Sequence, residues 1–307
     1  MINAAKLAAE RQFQTRVKKI TPLGGGFYGR VFLAVLEKEP YHAVIKLYLF
    51  PHIAQKEALG LKTLTKYANV LMPEIYFSSR ADALCPYDAL GMQYIPGVNA
   101  GELLNLPGNV RETVADEIID NLISYHSALN PQGFGELDAQ HFEKDWRDVY
   151  YPASLETCEK AKALYKEGKL PPGVLETVSR ALECFGRIFY LPVTEARLIH
   201  GDYNTWNILL TEDLRHVKAV IDPYGCRWAD AEFDLYQLDN ANGRYFGLLE
   251  RYRAKRRLSE NFALKRAFYE LFTELKHYCG AKAAIEKSNI PQQAVLLRDR
   301  MREFGIE

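Results

Sequence analysis

The chain has no CxxC pair, no apolar run approaching eighteen residues, no internal repeat, no low-complexity stretch and no net charge. Its five cysteines (Cys85, Cys158, Cys184, Cys226, Cys279) are scattered and odd in number. That excludes a disulfide framework or a zinc module and points to a reducing compartment, the cytoplasm. Residues 1–19 lack the continuous apolar core of a secretory leader, and the missing long apolar run argues against a membrane span. Lysine plus arginine and aspartate plus glutamate each number 39, so no global field draws the chain to nucleic acid or a membrane surface.

What is there is ordinary globular material in quantity. The 307 residues, 48% apolar and 25% charged, suffice for two joined lobes. Residues 4–19 read as a short amphipathic helix with a basic end. A β-rich stretch follows, with paired strands over 31–36 and 42–47, a helix over 55–67, and further strands near 74–78 and 91–95. Pro96-Gly97 then punctuates the chain, and from Glu102 onward helical patterns dominate. The change of pattern divides the chain into residues 1–95 and residues 96–307. Charge is locally uneven: residues 102–145 hold nine acids and two bases, and 244–302 hold fourteen bases and six acids. Both are read as solvated helix faces; the run Arg251–Arg257 stays a secondary hint of an anion site.

Leu23–Val31, LGGGFYGRV, places Gly24, Gly25, Gly26 and Gly29 in a GxGxxGxV pattern. A dinucleotide loop would open a helix and carry an acid about twenty residues on, whereas here a β-branched and aromatic run follows. Arg30 after Gly29 excludes a Walker loop. Two readings remain, a plain hairpin turn or a glycine flap whose backbone N–H groups approach nucleotide phosphates. Lys46 ends the apolar run Ala43-Val44-Ile45 on the next strand, where it is either a solvent-facing lysine or a point charge for phosphates. Glu57, early in the next helix, is its candidate partner, though a surface glutamate fits the spacing equally well.

The strongest signal is Leu198–Leu210, LIHGDYNTWNILL. Asp202 is followed five residues later by Asn207, and Asp222 ends the apolar strand Val217–Ile221. Phosphoryl transfer needs a carboxylate near the acceptor hydroxyl, plus carboxylate and amide oxygens for Mg2+. Asp202 answers the first need, Asn207 with Asp222 the second. Strand-end turn residues are the plain alternative.

Together these residues resemble the aminoglycoside phosphotransferase and choline kinase branch of the kinase-like fold, over about Leu23 to Leu235. The resemblance implies an α+β, bilobal protein-kinase-like fold, with a small β-rich N-lobe and a larger, mainly helical C-lobe. It also implies a hinge at residues 92–97 whose backbone at Gln93 and Ile95 binds the edge of the base of ATP or GTP. It further implies support of the catalytic loop by His200, by Asp234 and by Asp230. Gly201 stands where protein kinases carry an arginine that reads phosphorylation, Asp222-Pro223-Tyr224 replaces DFG, and seven residues separate Asp222 from Asp230. No activation segment fits there, so a small hydroxyl-bearing acceptor is expected. Ile221-Asp222-Pro223, the Ala231–Leu235 element and Tyr269–Tyr278 are locally similar to the fructosamine (ketosamine) kinases. A regulatory nucleotide-binding pseudokinase stays as the alternative, although it would be expected to lose Asp202, Lys46 or Asp222. A nucleic-acid binder is remote, with zero net charge and no aromatic–basic interleaving.

Overall fold

The computed structural model describes residues 1–281 and 288–306. In chain order they form α1 (Ile2–Phe13), β1 (Val17–Gly25), β2 (Gly29–Leu36), β3 (His42–Tyr48), α2 (Ile53–Leu64), β4 (Ile75–Ser79), β5 (Asp88–Gln93) and β6 (Val98–Asn99). Then come α3 (Gly108–Ser127), β7 (Gly135–Glu136), α4 (Trp146–Lys166), α5 (Pro172–Glu183), α6 (Phe185–Ile188), β8 (Arg197–Ile199), β9 (Ile208–Leu210), β10 (Val217–Val220) and β11 (Arg227–Ala229). The chain closes with a 3-10 segment (Ala231–Asp239), α7 (Gly243–Phe246), α8 (Leu248–Lys255), α9 (Phe262–Ala281) and α10 (Ile290–Glu303).

The N-lobe is a five-stranded antiparallel sheet in the order β1-β2-β3-β5-β4. Period-two alternation sorts β3 between its faces. Ala43, Ile45 and Leu47 pack under α1, whose Ala5, Ala8 and Ala9 let helix and sheet approach closely. Val44 and Tyr48 turn the other way, toward α2 and the cleft, and Lys46 shares their parity. The helix expected over 4–19 ends at Phe13, because Val17 and the residues after it are recruited into β1 against β2. The strand expected at 91–95 is Asp88–Gln93, since its register is set by pairing with β3 rather than by its own apolar run.

In the C-lobe, α4, α5, α9 and α10 enclose an aromatic core with Trp146, Tyr150, Phe185, Phe189 and Phe268 buried together. A second core joins α3 to α2, β9 and β10 across the lobe boundary. Two small sheets, β10-β9-β6 and β7-β11-β8, carry the loops that face the N-lobe. This is a bilobal, protein-kinase-like α+β fold. Among the described residues no helix is long and apolar enough to cross a membrane.

Candidate active site

Alternation along β3 aims Lys46 at α2, and the apolar stripe of α2 brings Glu57 to meet it. Glu57 lies in the buried stripe Ile53, Ala54, Glu57, Leu61, Leu64, so it is 1% exposed rather than a surface residue. Its Oε2 accepts from Lys46 Nζ and from the Tyr48 hydroxyl, both at 2.8 Å. Lys46 Nζ also donates to Asp222 Oδ1 at 2.5 Å, across 176 residues of sequence. Burial works against the Lys46 ammonium, but Asp222 and then Glu57 outweigh it and hold it above its ordinary value.

Asp202 sits at the head of the loop between β8 and β9. Its Oδ1 accepts from Asn204 Nδ2 at 2.8 Å and Gln237 Nε2 at 3.0 Å, and its Oδ2 accepts from Asn207 Nδ2 at 2.9 Å. Burial, reinforced by the negative charge of Asp222, pushes the carboxyl up to about 7 against those hydrogen bonds. Each carboxylate oxygen offers about two lone-pair sites. Oδ1 is saturated by protein donors, and Oδ2 keeps one site open. Gln237 is a residue that motif reading misses, because nothing in the pattern ADAEFDLYQ marks its glutamine as different from any other polar residue.

Asn207 is tied to the Asp222 segment through Ile221, whose N–H donates to the Asn207 carbonyl at 3.0 Å. Its Nδ2 is committed to the carbonyl and carboxylate of Asp202, at 2.8 and 2.9 Å, which leaves its amide oxygen Oδ1 as the outward acceptor. Asp222 adopts φ 60°, a left-handed conformation that aspartate tolerates better than most residues. Among the described residues no three His, Cys, Asp or Glu side chains gather as a metal cage. One carboxylate and one amide oxygen, completed by oxygens from a ligand, fit the coordination habit of Mg2+.

The loop is held from below. Asp234, fully buried, accepts from the backbone N–H groups of His200 (2.8 Å) and Gly201 (2.7 Å), and His126 Nε2 lies 3.2 Å away. His126 Nδ1 in turn meets the Tyr252 hydroxyl at 2.8 Å. His200 Nε2 lies 3.2 Å from the Ile221 carbonyl while its Nδ1 accepts from the Asp202 N–H at 3.3 Å, so the ring bridges the Asp202 and Asp222 segments. Burial lowers its pKa and keeps it neutral, against the pull of Asp234 and Asp222. Asp230 does not share the bracing of the loop expected of it. Its carboxylate is taken by Lys265 Nζ (2.7 Å) and the Tyr269 hydroxyl (2.8 Å), and it caps the 3-10 segment at the Glu232 N–H. It fastens α9 to the segment that carries Asp234.

The glycine loop is the β1–β2 turn. Its Gly29 lies so near β3 that a Cβ there would stand 2.5 Å from the Leu47 carbonyl oxygen, and Arg30 Nη1 closes the turn on the carbonyls of Gly26 and Gly29 at 2.8 Å each. Gly24, Gly25 and Gly26 lead to a tip that bends toward the C-lobe. There the Tyr28 ring lies 4.3 Å from that of Tyr224, and Phe27 lies 5.6 Å from His277 and 5.4 Å from Tyr278. Gln93 ends β5 and donates its own N–H to Glu74 O at 2.8 Å, while Ile95, two residues on, is buried. The acidic and basic segments answer one another: Arg251 pairs with Asp116 at 2.9 Å and Lys255 with Asp120 at 2.6 Å, joining α8 to α3. Within the Arg251–Arg257 run, Arg251 and Lys255 are thus committed to ion pairs with α3.

A lysine held between a helix carboxylate and a cleft aspartate thus stands beside the aspartate–asparagine loop. The model of the phosphotransferase enzyme family matches residues 19–266, and the chain belongs to that family. The protein YcbJ of Escherichia coli K12, itself described as uncharacterized, is 23% identical over 237 residues, 77% of this chain and 78% of its own. The putative fructosamine-3-kinase of Thermobifida fusca superposes with a TM-score of 0.69 at 18% identity, covering 98% of this chain and 100% of that one. The aminoglycoside phosphotransferase APH(2'')-IIa, in its gentamicin complex, superposes with a TM-score of 0.69 at 14% identity, covering 99% and 98%. At such identities the two structures establish the shared fold.

Proposed function

We propose that the chain is a small-molecule kinase that moves the γ-phosphate of ATP or GTP, with Mg2+, onto a hydroxyl of a sugar-like, ketosamine, aminoglycoside or amino-alcohol acceptor. The observation that carries this reading is the Lys46–Asp222 contact at 2.5 Å in the same cleft as the Asp202–Asn207 pair. It brings a phosphate-binding cation, a metal carboxylate and an acceptor-side carboxylate to one place. Relatives of this fold are seen with ADP and with GDP, which supports a nucleotide co-substrate of either base.

In this reading residues 1–95 present the nucleotide and residues 96–307 the acceptor. Gly24, Gly25, Gly26 and Gly29 roof the phosphates, and Lys46 reaches them while Glu57 holds its ammonium in place. The Gln93 carbonyl and the Ile95 N–H, which has no hydrogen-bond partner among the described residues, take the edge of the base. Asn207 Oδ1 and Asp222 would hold Mg2+, whose chemistry is to neutralise charge on the phosphate oxygens. Asp202 Oδ2, with its open lone pair, orients the acceptor hydroxyl and accepts its proton as the new P–O bond forms. Asp234 and His200 keep that loop in register.

The test is a coupled ADP-release screen over sugars, ketosamines, aminoglycosides and amino alcohols, beside nucleotide binding by calorimetry. Metal-dependent release with at least one acceptor, lost in Asp222→Asn, is the expected result. Tight nucleotide binding with no release from any acceptor would replace the kinase by a regulatory nucleotide binder.

A further inference from the structure

A cover for phosphates needs glycines and backbone N–H groups, yet this turn also carries two aromatic residues at its tip. Gly24, Gly25 and Gly26 are exposed, whereas Phe27 and Tyr28 are half-buried, because the tip docks on the C-lobe. Two C-lobe elements receive it. The Tyr28 ring lies 4.3 Å from that of Tyr224, tilted by 33°, and meets His277 of α9 edge-on at 5.5 Å. Phe27 lies on His277 and Tyr278, at 5.6 and 5.4 Å. From the N-lobe side Phe50, just after β3, meets Tyr28 at 6.1 Å. Rings from both lobes thus form one continuous aromatic layer across the mouth of the cleft.

Tyr224 fixes where that layer stands. It lies two residues after Asp222, and the next residue, Gly225, packs backbone to backbone on Gly201, the residue before Asp202. The ring is therefore rooted between the segments that bear the two cleft carboxylates. Burial first, then Tyr224, and after it the charge of Asp202 raise the pKa of the Tyr28 phenol, in keeping with that placement. An acceptor hydroxyl that reaches both Asp202 Oδ2 and the phosphates under the turn has to enter beside this layer. We propose that Tyr28, on the phosphate-covering turn, is an acceptor-binding residue, its ring joining that of Tyr224 in a wall for the apolar face of a sugar-like ring. The proposal rests on the phosphotransfer reading. Aromatic side chains present a broad, rigid apolar surface. Such a surface suits the C–H face of a sugar and leaves its hydroxyls free to meet Asp202. Nucleotide and acceptor then share one cover, because the turn that settles over the phosphates also completes the acceptor's wall.

ADP release is measured with glucose, glucosamine, fructosyl-lysine, kanamycin and the open-chain ethanolamine in the full chain, as wild type, Tyr28→Ala and Tyr28→Phe. Mg-ADP affinity is followed beside it by calorimetry, which also reports that each variant is folded. With each cyclic acceptor that is turned over, Tyr28→Ala is expected to raise the acceptor KM by about ten-fold or more, and Tyr28→Phe to keep most of the wild-type value. Mg-ADP affinity is expected to stay nearly constant across the three proteins, because the backbone of the turn, Lys46 and the hinge make those contacts. An acceptor KM unchanged in Tyr28→Ala, a loss confined to Mg-ADP affinity, or turnover of ethanolamine alone would overturn the wall and leave the kinase in place. No release from any of the acceptors in the wild type would overturn the kinase reading, and the wall with it.

Discussion

Gly201 and Gly225 pass back to back: a Cβ built on Gly201 would stand 2.4 Å from the Cα and carbonyl carbon of Gly225, and Gly201 itself has φ +82°. Both steric crowding and the left-handed backbone therefore demand glycine in the His-Gly-Asp turn. The contact clamps the loop bearing Asp202 to the segment that follows Asp222, so the two carboxylates keep a fixed relation.

Gly201→Ala is expected to damage the site without abolishing the fold. A methyl group cannot enter a 2.4 Å gap bounded by backbone, so the loop must shift. Strain of roughly 1–3 kcal/mol is expected for the backbone conformation alone. The check is a lowered melting temperature together with a loss of ADP release larger than that caused by Ala at an exposed loop position.

Removing Lys46 strips Glu57 of its buried counter-charge. Lys46→Met is expected to cost about 3–5 kcal/mol, the range for breaking a buried pair from one side. The double variant Lys46→Met/Glu57→Leu is expected to regain much of that stability, because no unpaired charge is then left inside, yet to stay inactive. Denaturant unfolding of the three proteins, read beside turnover, tests both halves. Equal stability of wild type and Lys46→Met would refute the pairing.

For Asp202, substitution by Ala is expected to lower kcat by about 10²–10⁴, the usual reach of general-base help, with nucleotide affinity nearly unchanged. Gln237→Leu is expected to act more weakly, because Oδ1 keeps its bond from Asn204 and Oδ2 its bond from Asn207. A kcat loss intermediate between wild type and Asp202→Ala, with unaltered nucleotide affinity, is the outcome to look for. Loss of nucleotide binding in Asp202→Ala would reverse the roles given to Asp202 and Asp222.

His277 makes the contact between the glycine turn and α9 sensitive to acid. Burial, with Lys276 next to it, lowers its pKa from 6.5 to about 4. The folded state then binds the proton less well than the unfolded state, so stability is unaffected above the unfolded value. It falls as pH drops from 6.5 toward 4, and this histidine's share of the loss levels off below that. Melting temperature measured across this window is expected to decline more steeply in the wild type than in His277→Phe. Parallel curves would refute the assignment.

Motif spacing was enough to nominate Lys46, Asp202, Asn207, Asp222 and Asp234, since each stands in a local pattern that its chemistry requires. The strand alternation that aims Lys46 into the cleft is equally local, being a property of consecutive residues. Glu57 was half legible: its distance from Lys46 allowed the pairing, but only the packing of α2 turned a plausible surface glutamate into a buried partner.

The helix over 4–19 failed beyond Phe13 because pairing with β2 outweighs the helical period there. Asp230 escaped its expected role for a similar reason. The fold of α9 carries Lys265 and Tyr269 to its carboxylate from 35 and 39 residues away. His126, Tyr252 and Gln237 carry no local signature at all, and they join the site only where helices far apart in sequence meet. The sequence by itself determined which groups of the phosphotransferase set are present and in what order, because motif chemistry is written over short spans. Tertiary structure alone decided which charges are buried against a partner, as Glu57 is against Lys46 and Asp230 against Lys265. That balance depends on long-range contacts that composition and spacing do not encode.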